Sequence, residues 1–138
     1  MTRKYSFAEH LLPAGLRVLA VEDETLIALD LQDMLMGSGA GDVIVARDFN
    51  DVERVIADDS EIDVAIINLN PAIAETDVNT ARVVQRSGIP FLFATGNGPP
   101  AAGEFSDAIF VTKPYTREII VAAVLATLDR AGPDHIAL

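Results

Sequence analysis

The sequence predicts an α/β domain of the doubly wound kind, with five parallel strands in one sheet and helices on both of its faces. Apolar runs of strand length recur at even intervals, and they are nearly continuous instead of alternating, the pattern of strands covered on both sides. Segments of helical length lie between them, with apolar residues three and four positions apart. At 138 residues, half of them hydrophobic, the chain fits one domain with a real core and leaves no room for two.

The strands are expected at "LRVLAV" (16–21), "DVIVA" (42–46), "IDVAII" (62–67), "IPFLFA" (89–94) and "DAIFV" (107–111). A first helix is expected over 24–36, with Ile27, Leu31, Met34 and Leu35 on one face. The second follows over 51–59, with Asn50 as its cap. The third spans 77–87 and sets Val78, Ala81, Val84 and Gln85 at helical spacing. The last runs from Thr116 to about Arg130, with Ile120, Ala123, Val124 and Leu128 together. Between the fourth and fifth strands, "GNGPPAAGEFS" (96–106) holds three glycines and two prolines, so the fourth helix is expected to be short or frayed. The domain proper is set at 16–130. Ahead of it, residues 1–15 form an arm with Tyr5, Ala8, Leu11 and Leu12 at roughly helical spacing before Pro13 and Gly15. This arm is either an extra helix or a tail, and 131–138 is read as a tail.

Charge and composition exclude several functions. Ten basic residues against 21 acidic ones give a formal charge of −11, which would repel a nucleic-acid backbone or an anionic membrane. No cysteine occurs, so thiolate chemistry, zinc-thiolate sites and disulfides are out. No apolar run approaches the length of a membrane span, and the N-terminus lacks the core of a signal peptide. A soluble cytoplasmic protein is the expectation.

In an open parallel sheet, ligands bind beyond the carboxyl ends of the strands. Four of the five expected strands deliver polar groups there: Glu22, Asp23 and Glu24 from "VEDE", Asn68 and Asn70 from "NLN", Thr95 from "ATG", and Lys113 from "TKP". Adjacent carboxylates raise each other's pKa unless solvent, a cation or a lysine is near, and a hard divalent ion such as magnesium would suit them. Acids also favour the first turn of a helix, which is the reading preferred for Glu24. Lys113, after an apolar strand and before Pro114, would aim its ammonium along the rim, and the Lys113–Pro114 bond is a candidate for cis. The Thr95 hydroxyl either caps the following turn or donates to an anion above the sheet.

These residues, in this order and spacing, resemble the receiver domain of two-component response regulators over residues 16–130. The run "PFLFATG" further resembles the Phe-Ala-Thr-Gly subgroup, which has a reduced fourth helix. The resemblance implies a flavodoxin-like fold, and it implies roles. Asp23 would bind magnesium directly, Glu22 through water, and the Asn70 carbonyl would complete the protein's ligands. Thr95 and Lys113 would contact a phosphoryl group, and Phe110 would be the aromatic that follows the switch, or else ordinary core.

The departure is Asn68, at the position of the phosphoacceptor aspartate. Phosphoryl transfer needs a carboxylate oxygen to attack phosphorus, and an uncharged amide cannot do so. Losing that carboxylate also weakens magnesium binding. The next segment, "PAIAETDV", lacks the usual turn as well. The expected function is therefore a single-domain receiver, not an enzyme, that acts by protein contact without phosphorylation at position 68. Its partner would be a sensor histidine kinase or another signalling protein. An engineered Asp-to-Asn variant of an ordinary receiver is the alternative. A flavin- or nucleotide-binding protein on the same sheet would need glycines and hydroxyls after the first strand, where "EDET" stands instead. The resemblance implies that partners use the face of the fourth helix, fifth strand and fifth helix, and since Ile119, Val121 and Leu125 are surplus to the inward stripe of the last helix, a homodimer or partner patch is expected there.

Overall fold

The computed structural model describes residues 11–58, 61–69, 74–96, 105 and 107–132. The chain alternates β1 (Arg17–Val21), α1 (Thr25–Gly37), β2 (Asp42–Ala46), α2 (Phe49–Asp58), β3 (Val64–Leu69), α3 (Ala74–Arg86), β4 (Phe91–Thr95), β5 (Ile109–Thr112) and α4 (Arg117–Ala131). All neighbouring strands pair in parallel in the order β2-β1-β3-β4-β5. This is the doubly wound sheet expected, with the order reversing at β1. The helix α4 is the last of the five foreseen. The expected fourth, with the "GNGPPAAGEFS" segment, falls almost wholly outside the described residues, as do residues 1–10 of the arm, residues 133–138 of the tail, and Asn70.

Strand side chains alternate between two cores. Val18, Ala20, Val43, Val64, Ile66, Leu92, Ala94 and Val111 face α1 and α4. Leu19, Val21, Ala65, Ile67, Leu69 and Phe93 face α2 and α3, where Phe91, Phe105 and Phe110 join them. The near-continuous apolar runs follow from this double covering. The arm's last residues belong to the first core, since Leu12 is buried there and its amide donates to the Ser38 carbonyl at 2.8 Å.

The helices differ from expectation in detail. The first turn of α2 begins earlier, at Phe49, because Asp48 rather than Asn50 caps it, its Oδ1 accepting from the Asp51 amide at 2.8 Å. On α3 the buried residues include Thr80, Ala81 and Val84, whereas Gln85 is exposed. On α4 Thr116 is the cap, accepting from the Ile119 amide at 3.2 Å. Val121 is fully buried in the first core and not part of a surface patch; Leu125 is half-buried against that core and only Ile119 stands out at 51 % exposure. The inward stripe is wider than four residues because α4 is wedged between α1 and three strands.

Two glycines hold joints that a side chain would break. Gly88, at φ +78° just past α3, lets the Gly88 and Ile89 amides turn back onto the Gln85 and Val84 carbonyls. A Cβ on Gly41 would sit 2.7 Å from the Gly15 backbone, so the entry to β2 lies directly on the turn before β1.

Candidate functional site

The alternation of each strand decides which polar residues meet at its carboxyl end. Continuing the parity of Val18 and Ala20 gives Glu22, that of Val64 and Ile66 gives Asn68, and that of Val111 gives Lys113. All three emerge on the α1/α4 side. Asp23 and Thr95 take the opposite parity, after Val21 and Phe93.

Lys113 joins the first three. Its ammonium donates to Glu22 Oε1 at 2.8 Å and to Asn68 Oδ1 at 2.6 Å. Glu22 is only 3 % exposed, and a buried carboxylate needs a counter-charge and hydrogen bonds. Lys113 supplies the charge, and the Glu24 amide donates to Glu22 Oε2 at 3.2 Å. Glu24 is thus the cap position of α1, but its own side chain makes no capping bond. The Asn68 amide nitrogen points at Asp23 Oδ1 at a long 3.5 Å. This orientation of the amide is the one chemistry allows, since a flip would set its NH₂ against an ammonium and its oxygen against a carboxylate. Asparagine accepts from a cation and donates to an anion in one residue, which aspartate cannot do.

Thr95 is wholly buried, and its carbonyl accepts from the Lys113 amide at 2.8 Å. The Lys113–Pro114 bond is cis. Phe110 is half-buried and stacks on Phe93 with ring centres 5.1 Å apart and planes 18° apart. It is the end member of an aromatic cluster with Phe91 and Phe105.

A cleft of about 430 Å³ opens above the rim, lined by Glu22, Asp23, Asn68 and residues of the β2–α2 and α3 segments. Thr95, Phe110 and Lys113 are not among the residues that line it. Sequence reasoning missed Arg47, whose Nη2 donates to the Asp23 carbonyl at 3.2 Å, and Asp77 and Thr80, which α3 brings to the cleft. Arg47 was within reach of the strand-end rule, since it is the polar group that β2 delivers to the rim. Tyr115 was also missed. Burial, then the nearby Glu22 and Asp30 carboxylates, pushes its phenol up to about 12.

The acids present do not fit a tightly held divalent ion. Glu22 is committed to Lys113, Asp23 faces the hydrogens of an amide, and among the described residues no three of His, Cys, Asp and Glu converge to hold a metal. Also among the described residues, no helix is long and apolar enough to cross a membrane.

No protein-family model matches the sequence, and neither does any curated protein. Solved structures do. SdrG from Pseudomonas melonis Fr1 in its BeF3-activated conformation is 30 % identical, with 85 % of this chain and 99 % of that chain covered and a TM-score of 0.71. The solution structure of SdrG from Sphingomonas melonis Fr1 is likewise 30 % identical over 85 % of this chain and 98 % of its own, with a TM-score of 0.64. A response regulator receiver protein from Sinorhizobium medicae WSM419 shares 20 % identity and the fold, with 85 % and 97 % covered and a TM-score of 0.73.

Proposed function

The chain belongs to the response regulator receiver family, and from that membership we propose that it is a protein-binding module of two-component signalling that works without phosphorylation at position 68. The observation that carries this reading is the Asn68 amide held between Lys113 at 2.6 Å and Asp23 at 3.5 Å. Transfer of a phosphoryl group needs a carboxylate oxygen as nucleophile and a cation over the phosphoryl oxygens. The amide oxygen is a weak nucleophile and is already spent on Lys113. Magnesium, through Asp23, Glu22 and the Asn70 carbonyl, binds weakly at best, for want of the third carboxylate.

The same contacts give the rim a fixed arrangement with no phosphoryl group. Thr95 and Phe110 are the switch positions by resemblance, and Phe110 is stacked in place. Output is a protein contact with a sensor kinase or another cytoplasmic signalling protein. Exposed Leu26, Leu29 and Met36 on α1 and Ile119 on α4 offer apolar surface for it. A homodimer through β5, α4 and the segment before them remains part of this proposal, carried on α4 by Ile119 and the edge of Leu125.

The test is incubation with a small phosphodonor and magnesium, followed by intact mass. No phosphoryl adduct is expected on the parent chain, and a hydroxylamine-labile adduct is expected on Asn68→Asp. An adduct of that kind on the parent protein would refute the proposal.

A further inference from the structure

We propose that the outer face of α1 is the docking site for the chain's own N-terminal arm, residues 1–10, which lie outside the described residues. The first observation is the helix itself. Its sequence, "TLIALDLQDMLMG", carries large apolar residues all round, the composition of a helix covered on every side. The domain covers one side only. Ala28, Leu31 and Leu35 are buried, whereas Leu26, Leu29 and Met36 are 81 %, 54 % and 45 % exposed. Their spacing puts these three in one outward stripe, with Asp33 within it and Asp30 and Gln32 at its flanks. Among the described residues the other exposed large hydrophobic side chains are Ile119 and Leu11, and Leu11 is the root of the arm.

The arm enters the domain at the carboxyl end of this same helix. The Leu12 amide donates to the Ser38 carbonyl at 2.8 Å, and a Cβ on Gly39 would touch Leu11 Cδ2 at 4.0 Å. Measured back along the axis from Ser38, Leu29 lies about 14 Å away and Leu26 about 18 Å. Ten residues span about 15 Å as a helix and about 33 Å extended, so the arm reaches the stripe in either form. A segment tethered this closely meets its site at an effective concentration on the order of millimolar, so modest contacts suffice.

The arm also has the complementary chemistry. Tyr5, Phe7 and Ala8 offer apolar surface to the stripe, while Arg3 and Lys4, against the single acid Glu9, bring net positive charge toward Asp30 and Asp33. α1 has no basic residue in its last turn. Arg117 of α4 stands one turn beyond Asp33, its guanidinium 3.6 Å from where a Cβ on Gly37 would lie. Exposed ion pairs add little affinity, so the apolar contact holds the arm and the charges orient it. A second copy's α1 would instead set Asp30 and Asp33 against their like, on a chain of formal charge −11. The arm is thus an intramolecular cover, and a partner that takes the α1 face must displace it.

Because the chain has no cysteine, Ser6→Cys places one spin label in the arm of the full-length protein. Paramagnetic loss of amide signal is read along the sequence, with thermal melting as a folding control. Loss is expected at Leu26 and Leu29, at the far end of the stripe, and not at Val55 or Arg86 on the opposite face of the sheet. Leu29→Lys with Met36→Lys should restore those signals, and so should Arg3→Glu with Lys4→Glu, which leaves the domain untouched. A mixture in which one population carries the spin label and only the other is observed should show no loss. Loss at Leu26 and Leu29 no greater than at Arg86 would overturn the inference, and so would loss that persists in both double variants. Equal loss in the mixture would overturn it too, assigning the face to a second copy's arm. Phosphoryl labelling of the parent chain would refute the proposed function and leave this pattern unchanged, so the two failures are distinguishable.

Discussion

Under α1 and α4 the sheet is packed with aliphatic side chains, whereas under α2 and α3 Phe91, Phe93, Phe105 and Phe110 form an aromatic cluster. The two faces end differently at the rim. The aliphatic face runs on into Glu22, Asn68 and Lys113, a chain of charge-assisted bonds. The aromatic face runs on into Asp23 and the buried Thr95. A backbone bond from the Lys113 amide to the Thr95 carbonyl links the polar tie to the aromatic side, and the Asn68 amide reaches Asp23 there. The difference teaches that the parts of a receiver site lie on two faces of one sheet.

Breaking the aromatic face should cost most. Phe93 is buried and touches three rings, so Phe93→Ala is expected to lower unfolding free energy by about 3–5 kcal/mol in urea. A loss under about 2 kcal/mol would show that this face collapses around the gap. Breaking the polar face should cost about 3 kcal/mol, because Lys113→Ala strands the buried Glu22 carboxylate. Adding Glu22→Gln should recover much of that loss; if the double variant is no more stable than Lys113→Ala, the pair is not what holds this face.

The smallest expected effect sharpens the comparison through pH. The Tyr115 phenol packs on the aliphatic core and is raised from 10.0 to about 12 by burial first and by Glu22 and Asp30 next. A group whose folded pKa is raised stabilises the fold fully below the unfolded value and loses that contribution as pH climbs through the folded one. Stability should therefore fall by roughly 1–2 kcal/mol between pH 10 and 12, allowing for solvent screening. Tyr115→Phe should flatten that slope. An ultraviolet titration that places the phenol at its ordinary value would contradict the burial argument.

Much of this was legible in the sequence. Five buried strands were visible because covering on both faces produces continuous apolar runs, and the strand-end rule located Glu22, Asp23, Asn68, Thr95 and Lys113. Reading the strand parity one step past each end would also have paired Lys113 with Glu22 rather than Asp23. Val121 was misplaced because a single helical stripe underestimates the contact of a helix packed against both a sheet and a neighbouring helix. Asn50 lost the cap to Asp48 because caps depend on where the chain leaves the strand, within a residue or two. Tyr115 had no local signal, since the turn between β5 and α4 places it, and Asp77 and Thr80 had none, since the packing of α3 brings them to the cleft.

Lys113 follows the edge strand β5, yet its ammonium reaches past the end of β4 to Asn68 on β3 and to Glu22 beyond β1. In mechanical terms it is a transverse strap. Parallel strands resist sliding along their ladder but an edge of four residues peels easily from the side. A side chain anchored across three neighbours loads that edge against the middle of the sheet, so pulling β5 outward must first extract an ammonium from two oxygens.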